Sequence, residues 1–131
     1  MPCNLNRRCG IQTGEPHSSM LIATLVLFGL AAILGLTVAA QIFKKRETSK
    51  GIAIAHGAFA AIALVMLVLY AVKNPHPWLT TAIVLFVIAA LGGGAVFFND
   101  LRKKPGPLAL IVIHALLAVV GVVLVLLVAL R

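Results

Sequence analysis

Four long apolar runs, none interrupted by a charge, decide most of what this chain can become. Residues 20–43, 51–72, 78–99 and 107–130 each extend over at least 22 residues without an Asp, Glu, Lys or Arg. A helix needs roughly 20 predominantly apolar residues to cross the hydrocarbon of a bilayer. The rest of the composition agrees: 62% of the 131 residues are hydrophobic and 11% are charged, against about 25% charged in an ordinary soluble domain. A water-soluble fold of this length would lack the polar surface to cover its own core. The sequence therefore predicts an all-α integral membrane protein. A transmembrane barrel would show strands alternating apolar and polar residues, and these runs do not alternate.

The connectors are short, at residues 44–50, 73–77 and 100–106, and each holds a charge cluster or a Pro/Gly turn such as Asn74-Pro75-His76-Pro77. Pro lacks the amide donor and fixes its own φ, so such turns stop helices sharply. Short connections force successive helices to run antiparallel, which predicts an up-down four-helix bundle. Residues 1–19 are expected to form an outer tail and residues 20–131 a single transmembrane domain. The first run is too long for the apolar region of a signal peptide and lacks a convincing cleavage site, so it is read as a mature helix.

Loop charge predicts the orientation. Lys44, Lys45, Arg46, Lys50, Arg102, Lys103 and Lys104 gather on one side, and Arg7, Arg8, Lys73 and Arg131 on the other. The positive-inside rule puts both basic loops in the cytoplasm, both termini outside, and the protein in the cell (inner) membrane as a multi-pass protein in contact with lipid. Tyr70 and Trp78 then fall at the outer interface. The net charge of +8 thereby reads as a topology signal, and no nucleic-acid partner is expected.

The chain also repeats itself. A shift of 58 residues superposes Phe28 on Phe86, Gly35 on Gly93, Lys45 on Lys103 and His56 on His114. In so biased an alphabet the Leu, Ala and Val matches carry little weight; the Phe, Gly and His matches carry the argument. Two-helix units at about 20–73 and 78–131, repeated in the same orientation, imply a pseudo-two-fold axis along the membrane normal.

His56 and His114 are the ionisable side chains well inside the spans. Intramembrane ionisable groups are costly and normally face the bundle interior with a function. Each lies a little over one turn into its helix from the basic end. Each tops a stripe of small residues at helical spacing, Ala60 and Ala63 after His56, Ala118 and Gly121 after His114. Gly35 and Gly93 are expected at the same depth on the antiparallel partners. Two neutral imidazoles across a cleared apolar slot suit the two axial positions of one haem b, a low-spin centre for moving single electrons. The expected ligands are thus His56 and His114, with Gly35, Gly93, Ala60 and Ala118 lining the slot. Lys50 and Arg102 are expected at the edge that carries the propionates.

On these residues the chain resembles the four-helix, bis-histidine membrane cytochromes b, the group that includes the b561-like proteins. That resemblance implies a haem-b protein passing electrons, plausibly between the quinone pool and a partner protein, an electron carrier or redox subunit rather than a stand-alone enzyme. Di-haem members require four intramembrane histidines, so two imply one haem. An outer haem or metal site at His17 and His76 is disfavoured because the two are one residue out of repeat register.

Other classes are weaker. Two histidines alone leave zinc two ligands short, and the three acidic residues cannot supply paired-carboxylate chemistry in the bilayer. The main alternative is a non-redox transmembrane subunit or scaffold of a larger complex, with the histidines bonding across helices. A small exporter would need a membrane-embedded Glu. Cys3 and Cys9 are expected outside, where a disulfide can form. Gly92-Gly93-Gly94 follows no strand, so it is no phosphate loop; it permits close helix packing or accommodates a planar cofactor.

Overall fold

The computed structural model describes residues 16–104 and 107–131. They form four helices, α1 (Pro16–Phe43), α2 (Lys50–Lys73), α3 (Pro77–Leu101) and α4 (Leu108–Ala129), and no strand occurs among them. Every helix is long and apolar enough to cross a membrane, so the chain is an all-α, four-helix transmembrane bundle. The helix ends differ from the sequence expectation mostly by one or two residues. At α1 the gap is larger: its backbone turns helical at Pro16, within the segment expected as tail. A proline at the first helical position sacrifices only an amide that would lack a partner there. Cys3, Cys9, Arg7, Arg8 and the Pro105-Gly106 turn lie outside the described residues.

Connection length arranges the bundle. α2 and α3 are joined by three residues, whereas α1–α2 and α3–α4 are each joined by six. Both six-residue connections begin in the same way. Lys45 and Lys103 take φ of 52° and 53°, in the left-handed region. The amide of Lys45 donates to the Ile42 carbonyl and that of Arg46 to the Gln41 carbonyl, both at 3.0 Å; Lys103 to Asp100 and Lys104 to Asn99 repeat the pair at the same distance. This is the Schellman arrangement, in which two carbonyls orphaned at a helix end regain donors. It normally ends on glycine. Here two lysines adopt the conformation that costs an L-residue about 1–2 kcal/mol.

The core follows the 58-residue repeat. Leu21, Thr24, Phe28 and Ala31 are buried on α1, and Leu79, Ala82, Phe86 and Ala89 on α3. On both helices the spacing is three, four, three, the seam of closely packed antiparallel helices. Ala63 and Leu67 on α2 correspond to Gly121 and Val125 on α4, all four buried. The Thr24 hydroxyl, buried where the second repeat has Ala82, donates to the Met20 carbonyl at 2.9 Å and so carries no unmet polarity into the core. The opposite faces are apolar and exposed: Leu36, Val72 and Leu91 each keep over 70% of their surface uncovered. In a bilayer such faces meet lipid tails at no hydrophobic cost.

α1 packs closely on α2 and α3 on α4, while α1–α4 and α2–α3 pack lightly. The molecule is thus two tight hairpins laid together. Around the ring the order is α1, α2, α3, α4, which makes α1 and α3 one diagonal pair and α2 and α4 the other. Across the first diagonal, Phe28 and Phe86 stack with ring centres 4.2 Å apart and planes 11° from parallel.

Candidate functional site

One turn further along α1 and α3 from the phenylalanines, the other diagonal is filled by the histidines. His56 stands six residues into α2 and His114 six residues into α4. Their ring centres are 6.1 Å apart and their planes cross at 75°. The two imidazoles thus stand at equal depth on the α2–α4 diagonal, one ring edge-on to the other.

Each ring is anchored inside its own hairpin. Nδ1 of His56 lies 2.7 Å from the Ala31 carbonyl oxygen on α1. Nδ1 of His114 lies 2.6 Å from the Ala89 carbonyl oxygen on α3. A carbonyl only accepts, so in both rings Nδ1 carries the proton and donates it. The neutral imidazole then has Nε2 deprotonated, a free lone pair. No side-chain nitrogen or oxygen among the described residues is both buried and without a partner, and both histidines are half-buried.

The helix itself explains why glycines sit where they do. A carbonyl at position i already accepts from the amide at i+4, and the side chain at i+4 overhangs it. A ring from a neighbouring helix reaches that carbonyl more closely where position i+4 has no side chain. Four residues after Ala31 stands Gly35, and four after Ala89 stands Gly93. A Cβ added to Gly35 would come within 2.8 Å of Cε1 and 3.0 Å of Nδ1 of His56. At Gly93 the same distances to His114 are 2.9 and 3.0 Å. The two glycines therefore seat the imidazoles, a more specific job than lining an open slot. Of their neighbours, a Cβ on Gly92 would meet Leu110 at 3.5 Å and the base of His114 at 4.0 Å, ordinary contact distances, and a Cβ on Gly94 would meet nothing within 4 Å. Within the glycine run, steric need is therefore confined to Gly93.

The other expected residues are distributed as follows. Ala60 and Ala118 are half-buried, and Ala118 packs against the apolar core. Lys50 is the first residue of α2 and Arg102 caps the end of α3; both are exposed. At 1.5 Å per residue Lys50 lies about 9 Å along the bundle from the His56 level. Arg102 lies roughly 13 Å from the level of Gly93 and His114. Both are at the same end as the histidines, with Lys50 nearer. His76 has a local role: its Nδ1 accepts the Trp78 amide at 3.2 Å and caps α3. Its ring also meets Trp78 edge-on, and the Arg131 guanidinium lies 4.3 Å over the Trp78 ring. Only the backbone of His17 is described.

Sequence reasoning found the histidines but not their acceptors. The acceptors are main-chain oxygens of Ala31 and Ala89, and an alanine announces nothing about its carbonyl. The available signal was Ala-x-x-x-Gly, occurring twice in register with the histidines. Chemically the pair offers two imidazoles with ring centres 6.1 Å apart, each leaving Nε2 as the bare nitrogen and each oriented through Nδ1 by a carbonyl, as metal-binding histidines usually are. Such a donor pair would be able to hold a group that takes two imidazole nitrogens, a haem iron among them. Comparison with known protein families, curated proteins and solved structures finds no match to this chain.

Proposed function

We propose that the chain is a small haem-b membrane protein in which His56 and His114 hold one haem and single electrons pass through it. The observation that carries this reading is the duplicated anchor. Each half of the molecule commits Nδ1 to a carbonyl on its partner helix and so leaves Nε2 as the basic nitrogen. A bis-imidazole haem supplies reversible one-electron exchange at a coordinatively saturated iron. The chain's part is to fix two ligands before the group arrives, keep the site among apolar side chains, and present cations at one end. Lys50 is the cation best placed to meet a propionate, since it is the nearer of the two candidates. An electron carrier of this size works between others, and a quinone and a redox partner protein are the proposed neighbours. The positive-inside count adds the proposal that the basic loops face the cytoplasm and both termini the outside of a cell membrane. Labelling of Cys3 in intact cells checks it; labelling only after permeabilisation reverses the orientation.

The same anchor favours a second reading, a non-redox transmembrane subunit in which the histidines only staple hairpins. An interhelical hydrogen bond in a membrane averages about 0.6 kcal/mol, which is a small return for two embedded imidazoles. Colour separates the two readings. The purified protein, expressed with ample haem, is expected to show a Soret band and a sharp α band on reduction. A colourless protein leaves the staple.

A further inference from the structure

We infer that Gly35 and Gly93 are positioning residues of the ligand pair, setting the roll of each imidazole and thereby holding the two ring planes crossed. This rests on the haem reading above and adds to it a geometry with its own signature. The warrant is the coincidence of three contacts at each ring. Nδ1 is tied to a carbonyl four residues before the glycine. The Nδ1–Cε1–Nε2 edge lies against the glycine itself, with distances that leave no space for a methyl group. The ring's own helix fixes the Cβ. A planar ring held at Cβ, at one nitrogen and along one edge has no rotation left. The two hairpins impose that same seat on rings related by the pseudo-two-fold axis, and the outcome is planes at 75°.

Crossed imidazoles differ electronically from parallel ones. Each ring donates into the iron d orbital perpendicular to its own plane. Parallel rings load the same orbital and split the pair, which gives a rhombic ferric spectrum. Crossed rings load both orbitals nearly equally, which gives a strongly anisotropic low-spin signal with a large maximal g value. The hydrogen bond at Nδ1 also raises ligand basicity, so the glycine seats bear on redox potential as well as on plane angle.

The test uses the purified wild-type protein with haem and three variants, Gly35→Ala, Gly93→Ala and Gly29→Ala. The last is a control, because a Cβ at Gly29 meets nothing within 4 Å. Low-temperature electron paramagnetic resonance of the ferric wild type is expected to show the large-g anisotropic signal, unchanged in Gly29→Ala. Gly35→Ala and Gly93→Ala are each expected to move it toward the rhombic form while the haem content stays comparable. In haem-free protein labelled at histidine nitrogens, the wild type is expected to show His56 and His114 with Nδ1 protonated and Nε2 bare. Each alanine variant is expected to lose that tautomer preference at its own histidine alone. A rhombic wild-type spectrum overturns the inference, and so do seat variants that match the control in both measurements. Failure of the wild type to take up haem at all overturns the haem reading and this inference with it. If the tautomers are nonetheless as expected, only the staple role of the seats survives.

Discussion

Phe28 and Phe86 are separated by 58 positions in the chain and by 4.2 Å in space. Stacked across the α1–α3 diagonal, they close the bundle on one side of the histidine pair. Such an aromatic contact is worth about 0.5–1.5 kcal/mol beyond the area it buries. It also shows how the two halves have diverged. A Cβ at Gly121 would lie 2.8 Å from Cζ of Phe86, whereas the equivalent position in the first half is already an alanine, Ala63, wholly buried.

Gly121→Ala is therefore expected to overpack the core and destabilise the bundle by about 1–3 kcal/mol. Unfolding in mixed micelles measures it. Phe86→Leu in the same background should recover much of the loss, because the branched side chain ends short of the position the ring tip occupied. A Gly121→Ala protein as stable as wild type would mean that the ring yields freely.

The left-handed lysines make a second prediction, of the opposite sign. Lys45→Gly and Lys103→Gly relieve a backbone strain of about 1 kcal/mol each and should raise thermal stability. Lys44→Gly removes the same charge from a residue outside the left-handed region and should not. Equal effects from all three would trace the change to charge.

If His56 and His114 hold a haem as proposed, His56→Ala and His114→Ala are each expected to abolish the low-spin spectrum, and the double variant to lose haem. The two single variants should behave alike, since the rings have matching anchors at 2.7 and 2.6 Å. Assembly should persist in all of them, because each substitution forfeits one interhelical bond of about 0.6 kcal/mol. A spectrum indifferent to both substitutions would remove the histidines from the site.

The unequal placement of the cations predicts unequal effects on potential. Under the haem proposal, a cation near the iron would disfavour the more positive oxidised state, so neutralising it would lower the midpoint potential. Lys50→Gln should lower it more than Arg102→Gln, because Lys50 lies about 9 Å along the bundle and Arg102 roughly 13 Å. Redox titration of both variants gives the comparison, and the reverse order would move the propionates toward the α3–α4 loop.

The spans were legible because 22 uncharged residues have one physical meaning, and the repeat because Phe, Gly and His are scarce in this alphabet. The histidine pair was legible for the same reason. What stayed hidden was written in the main chain. The acceptors of His56 and His114 are carbonyls of alanines. The turns at Lys45 and Lys103 put lysine where propensity asks for glycine. Gly35 and Gly93 were read as clearing room for a flat ligand, yet each clears room for the imidazole of its neighbour. The depth of the histidines along the bundle was visible from residue counting, while the ranking of Lys50 ahead of Arg102 came with the helix bounds.

The contrast between tight hairpins and the light packing where they meet bears on how the molecule holds together. Each hairpin carries its own polar bond, its own glycine seat and its own Schellman turn, so each is held together from within. Meeting the other half requires only side chains to interdigitate. The seam between the hairpins is then the looser of the two kinds of joint, and the two rings meet across it. Under the haem proposal, a group held by both imidazoles would tie the two hairpins together across that seam.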